Sequence, residues 1–159
     1  MRHPQVVVFA FDEWLGKQLR ELAAEARWLV REARQAAACR ALLRDPRPTV
    51  LLLQADPDDD RAAALALLAD VHRAAPDVAA VVVSDVKLSE EDRTAWTAAA
   101  LDLGARYVLF PPLSRPVIED VVSGLMAASV RRGLPPETAP PRPADRGVID
   151  LAEEGQADP

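Results

Sequence analysis

The chain has 159 residues, half of them apolar and 28% charged, with a net charge of -6. That length holds one domain with a substantial core and not two with a linker, and the composition excludes both a disordered chain and a membrane-embedded one. The acidic balance argues against nucleic acid as the partner, because phosphate binding is rewarded through a basic face.

The arginines from Arg27 to Arg47 are interleaved with glutamates and Asp45, as on a solvated mixed surface. The single cysteine, Cys39, leaves no internal disulfide and no multi-cysteine metal site; within an alanine-rich helical pattern it reads as a small buried residue. The N-terminal apolar run of about six residues falls well short of the ~20 needed for a membrane span. The expectation is a cytoplasmic protein with no membrane partner.

From Gln5 onward, short β-branched runs alternate with alanine- and leucine-rich helical stretches. "QVVVFAF" is the first strand, and "DEWLGKQLRELAAEA" the first helix, with Leu15, Leu19 and Leu22 at helical spacing. "RWLVREA" alternates like an edge strand, and "QAAACRALLRD" is a helix closed by Pro46 and Pro48. "TVLLLQA" is an unbroken apolar run, which marks a central strand covered on both faces. "DPDDDRAAALALLADVHRAAP" opens on acids suited to a helix N-terminus and puts Leu65, Leu68 and Val71 along one face. "DVAAVVVSD" is the fourth strand. "LSEEDRTAWTAAALDLG" begins with Ser89 and Asp92 as a capping-box pair and stops at Gly104. "RYVLF" is the fifth strand, followed by the helix "SRPVIEDVVSGLMAASVRR" with Pro116 in its first turn.

Five strands and five helices in strict alternation, joined by right-handed crossovers, predict an α/β flavodoxin-like (βα)5 doubly wound parallel sheet with strand order 2-1-3-4-5. Function then belongs at the carboxyl ends of the first, third, fourth and fifth strands. The expected domain covers 1-132. Residues 133-159 hold six prolines from Pro135 to Pro159 and few apolar residues, and are expected to be a disordered tail. Within it, 147-154 ("GVIDLAEE") sets Val148, Ile149 and Leu151 beside acids, either a chance cluster or a docking peptide.

"RPTVLLLQ", "AAVVVSD" and "LDLGARYVLFPP", in this order and spacing, resemble the third, fourth and fifth strands of the receiver domain of two-component response regulators. The likeness covers roughly residues 5 to 130. In that family an aspartate accepts a phosphoryl group, Mg²⁺ is held by that aspartate and an acidic pair, and a hydroxyl and a lysine bind the phosphoryl oxygens.

Carried onto this chain, the resemblance meets altered chemistry at several positions. Phe11 takes the place of one member of the acidic pair; Asp12 either retains metal-binding capacity or caps the first helix. Counting forward from Pro48 puts Gln54 at the acceptor position, where a neutral amide cannot form an acyl phosphate. Counting back from the leucines of the third helix puts Asp56 there. Gln54 is the preferred assignment, because the other register strands an amide inside a buried central strand. Ser84 matches the phosphate-contacting hydroxyl, a position also favoured by turns. The lysine is replaced: Phe110 precedes Pro111, the chain's two lysines are Lys17 and Lys87, and Arg106 or Arg115 would not reproduce the geometry.

The resemblance thus implies a degenerate, phosphorylation-independent pseudo-receiver, not an enzyme, that works as a protein-protein adaptor or scaffold in bacterial signalling. Its partner would bind the face of the fourth helix, fifth strand and fifth helix, with homodimerisation through the same face as an option. Trp96, Tyr107, Leu113 and Val117 are placed on or near that face; each is equally a core candidate, and for Tyr107 and Val117 the core is preferred. No cofactor is expected. The alternative is an atypical phosphoacceptor using Asp56, with Asp12 and Asp56 holding Mg²⁺. A small-molecule binder of the flavodoxin-like type is disfavoured because no glycine-rich loop follows a strand.

Overall fold

The structure is a computed structural model and describes residues 2-55 and 61-134. The elements run β1 (Gln5–Phe9), α1 (Trp14–Ala26), β2 (Leu29–Ala33), α2 (Ala36–Leu43), β3 (Thr49–Gln54), α3 (Arg61–Ala74), β4 (Ala79–Val83), α4 (Glu90–Asp102), β5 (Ala105–Leu109) and α5 (Arg115–Gly133). All strands are parallel, in the order β2-β1-β3-β4-β5.

The apolar run predicted as central is central. Every residue of β3 is buried, because its neighbours β1 and β4 complete its hydrogen bonds while helices cover both faces. Alternation sorts its side chains. Leu51 and Leu53 join Leu67, Leu68, Val71, Trp96 and Ala100 on the side of α2, α3 and α4, whereas Val50 and Leu52 join Leu15, Leu19, Ile118, Val122 and Met126 on the side of α1 and α5. Each fully buried leucine contributes on the order of 1.5–3 kcal/mol. Cys39 is buried in the first of these cores, and burial pushes its thiol up to about 11.

Helix termini follow the local chemistry. Ser89 Oγ accepts the Asp92 N–H at 3.2 Å, and the hydroxyl in turn donates to Asp92 Oδ2 at 3.0 Å. Asp92 therefore bonds the capping hydroxyl and not the backbone N–H that a longer glutamate reaches in the full capping box. At the other end of α4 the chain reverses through Gly104, at φ +104, where an added Cβ would stand 2.4 Å from His72 Nδ1. Both the backbone angle and the packing of α3 require glycine there.

Two details differ from the sequence reading. In α3 the buried stripe is Ala64, Leu67, Leu68 and Val71, with Leu65 only half-buried, so the stripe sits about one residue away from Leu65. In β5 the pairing steps from Ala80↔Ala105 to Val81↔Tyr107, which leaves Arg106 as the extra residue of a β-bulge on the sheet edge.

Candidate functional site

The carboxyl ends of β1, β3, β4 and β5 lie side by side, as the register pairs Phe9 with Leu53, Gln54 with Val83, and Val83 with Leu109. The ladder continues one residue further, with Ala55 N–H donating to Val83 O and Ser84 N–H to Leu109 O, both at 2.9 Å. These bonds fix four short segments: Ala10 to Asp12, Gln54 and Ala55, Ser84 and Asp85, and Phe110 and Pro111.

Gln54 ends β3 with only 3% of its surface exposed. Its Nε2 donates to Asp85 Oδ2 at 3.2 Å, and its Oε1 is buried with no hydrogen-bond partner among the described residues. An amide buried with half of its capacity unmet is costly in a core, so its position at a strand end is notable. Asp85 itself is exposed. Its part in the site was missed in the sequence, where it counted only as the last residue of the fourth strand. The available signal was a carboxylate directly after the hydroxyl-bearing Ser84.

Ser84 is buried, and its Oγ donates to Val86 O at 3.3 Å, a bond that shapes the turn after β4. Asp12 Oδ1 accepts the Trp14 N–H at 3.0 Å, an Asx turn that leads the chain into α1 ahead of its N-cap, Glu13. Glu13 lies in an exposed i,i+4 pair with Lys17. Phe11 is 52% exposed and takes no part in the core.

Phe110 is half-buried against the core on the α3 and α4 side, and the Arg93 guanidinium stands 5.1 Å from its ring centre. The positive charge at this end of β5 therefore comes from α4, held by a cation-π contact. Arg115 is engaged elsewhere: it bonds Glu21 on α1 and, at 2.7 Å, Glu119 on its own helix. These carboxylates hold its guanidinium proton more firmly than usual, and Arg115 in turn holds Glu21 below the ordinary carboxylate range.

A hard cation such as Mg²⁺ takes oxygen ligands, chiefly carboxylates. Here one oxygen of Asp12 is taken by the Trp14 N–H and Gln54 offers an amide, and among the described residues no group of three or more His, Cys, Asp or Glu side chains is placed to hold a metal. Asp56 and the tail residues Val148, Ile149 and Leu151 lie outside the described residues.

The proposed face is rearranged relative to the sequence reading. Trp96 is 5% exposed and fills the gap between α4 and the sheet, as the one large side chain on an alanine-rich buried stripe with Ala100. Tyr107 and Val117, preferred as core, are instead 49% and 48% exposed. Tyr107 follows the bulge on an edge strand. Val117 precedes Ile118, which starts the buried stripe continued by Val122 and Met126, and one helical step turns a side chain about 100° away from such a stripe. Leu113 is half-buried and, with Trp14, Asp85 and Pro111, lines a cavity of about 300 Å³ beside the strand ends. Among the described residues no helix is long and apolar enough to cross a membrane.

No protein-family model and no curated protein matches the chain. Solved structures do. A CheY-like response regulator receiver domain protein from Methanospirillum hungatei JF-1 is 16% identical with a TM-score of 0.63, over 84% of this chain and all of that one. The receiver domain of NtrX from Brucella abortus is 20% identical with a TM-score of 0.62, over 77% of this chain and 98% of that one. NtrX from the same organism in complex with ADP is 20% identical with a TM-score of 0.62 over 83% of this chain, which spans only 28% of that longer protein. Strand order, parallel register and these superpositions together give the chain the fold of CheY-like response regulator receiver domains.

Proposed function

We propose that this protein is a phosphorylation-independent receiver-like module of two-component signalling, acting as an adaptor that binds a protein partner through the α4, β5 and α5 face. One observation carries the reading: the buried residue at the carboxyl end of β3 is Gln54, an amide bonded to Asp85, where the resemblance puts a phosphoacceptor. An amide nitrogen is a poor phosphoryl acceptor, and the lone pairs of Oε1 cannot give the acyl phosphate that a carboxylate forms. Phe110 in the lysine's place supports the same reading, since an aromatic ring offers no cation to the phosphoryl oxygens.

With the switch chemistry absent, the output face has one resting shape and is controlled by what binds it. Leu101, Tyr107 and Val117 expose apolar surface on α4, β5 and α5. Of these, Leu101 also lines a cavity of about 800 Å³ between α4 and β5, with Arg93, Thr97, Val108 and Phe110 on its walls. Exposed apolar side chains around a concavity suit a partner's apolar anchor.

The test is incubation of the protein with Mg²⁺ and excess acetyl phosphate or phosphoramidate, read by intact mass beside an Asp56→Ala variant. The expected result is an unchanged mass. A gain of one phosphoryl group that disappears in the variant overturns the reading and makes Asp56 the acceptor.

A further inference from the structure

The last two turns of α5 and the bulge of β5 form a groove of about 380 Å³ lined by Arg106, Leu125, Ala128, Arg131 and Arg132. Its floor is apolar: Leu125 and Ala128 are half-buried. Its rim is basic, and among the described residues none of the three guanidinium groups has an ion-pair partner. Arg131 and Arg132 also suit the negative end of the helix dipole, which explains two cations at a helix end. It does not explain Arg106, which comes from another element and is set beside them by the bulge.

The described chain ends at Leu134, one helix turn from this groove. The sequence that follows carries one segment of matching chemistry: Val148, Ile149 and Leu151 interleaved with Asp150, Glu153 and Glu154. Three aliphatic and three acidic side chains face, in composition, an apolar floor with three arginines. We infer that residues 148-154 dock in this groove of their own chain, aliphatics on Leu125 and Ala128 and carboxylates on Arg106, Arg131 and Arg132.

The tether allows it. About 14 residues separate Leu134 from Val148, and a proline-rich stretch covers ~3.1 Å per residue, so the reach of roughly 43 Å far exceeds the ~12 Å length of the two helix turns involved. A short tether gives an effective concentration in the millimolar range, so an intrinsically weak peptide contact suffices for occupancy. Docking there covers the α5 side of the proposed partner face, yet it needs no partner to be detected. It stands or falls independently of the adaptor reading.

The test uses the full chain with Ala152→Cys carrying a nitroxide; Cys39 is buried and is spared by the label. Paramagnetic broadening of backbone amides is recorded in ¹⁵N-labelled protein. The expected result is intensity loss at Arg106, Leu125 and Ala128 at least twofold greater than elsewhere on the fold. It should be abolished by Ile149→Asp with Leu151→Asp, and likewise by Arg131→Glu with Arg132→Glu. Uniform broadening, or broadening insensitive to those substitutions, overturns the inference. Broadening that appears when spin-labelled unenriched protein is mixed with unlabelled ¹⁵N protein also overturns it, because the occupant is then a second copy.

Discussion

Two buried glutamines stand at opposite ends of the same sheet, and their surroundings differ in kind. At the foot, Gln5 opens β1 fully buried; its Oε1, like that of Gln54, is buried without a partner among the described residues, but its Nε2 donates twice, to Leu42 O at 3.1 Å and Thr49 Oγ1 at 3.0 Å. Thr49 passes the chain of bonds to Arg47 O at 2.9 Å, and Arg47 pairs with Asp45 at 2.7 Å. At the crown, Gln54 has one side-chain bond among the described residues, to a carboxylate that faces solvent. The same side chain ties backbone segments together at one end and meets an exposed charge at the other. A buried amide whose partners are main chain and hydroxyl is a structural tie, while one whose sole partner is a solvent-facing acid marks a place where the fold meets its surroundings.

Substitutions can break this contrast. Gln5→Ala removes both bonds and leaves a cavity in a closed site, and a loss of about 3 kcal/mol is expected in urea unfolding; a loss below about 1 kcal/mol would erase the distinction. Gln54→Asp puts a second carboxylate beside Asp85 in a desolvated position, with an expected loss of about 1–2 kcal/mol at pH 7. Burial and the like charge raise the folded-state pKa of the new group above its unfolded value. The folded variant then binds the extra proton more readily, so the penalty shrinks as pH falls towards 5. A pH-independent penalty would mean that Gln54 is better hydrated than its burial implies.

Asp12→Ala tests how much the turn into α1 contributes at the crown. Loss of the bond to the Trp14 N–H should cost about 1 kcal/mol in the same measurement, the net worth of one side-chain to backbone hydrogen bond. The smallest effect concerns Glu21, whose pKa Arg115 lowers in the folded state. Its contribution is present above the ordinary carboxylate range and is lost as pH falls through the lowered value. Thermal scans from pH 6 to 3 should show the wild type losing its advantage over Glu21→Gln, and parallel pH profiles would show the pair to be inert.

The order of elements was legible because strands carry their own signatures: β3 is apolar without interruption, while β2 mixes Leu29 and Val30 with Arg31 and Glu32 and lies at the edge, although its burial does not alternate as expected. Ser89 and Gly104 announced the ends of α4 from local chemistry alone. What escaped the sequence depends on the third dimension. Asp85 meets Gln54 only because β3 and β4 are neighbours in register, a contact across 31 residues. The exposure of Tyr107 depends on a bulge that no local pattern in "RYVLF" announces. Trp96 is buried although it sits among exposed polar residues, because its stripe otherwise contains alanines. Of the candidate site, the residue types Gln54 and Phe110 were legible, and the pairing that gives Gln54 its environment was not.

Helix α1 carries a tryptophan at one end, Trp14, and is followed at the other by Trp28, whose N–H bonds back to Ala23 O. The helix spans roughly 20 Å between them. Trp14 lines the small cavity shared with Asp85, while Trp28 lies beyond the far end of the helix, toward the foot of the sheet. The chain thereby holds two built-in fluorophores at the two ends of one rod. With Trp28→Phe and Trp96→Phe removing the background, the emission of Trp14 becomes an optical probe of whatever approaches the crown, and the converse single-tryptophan protein reports the foot.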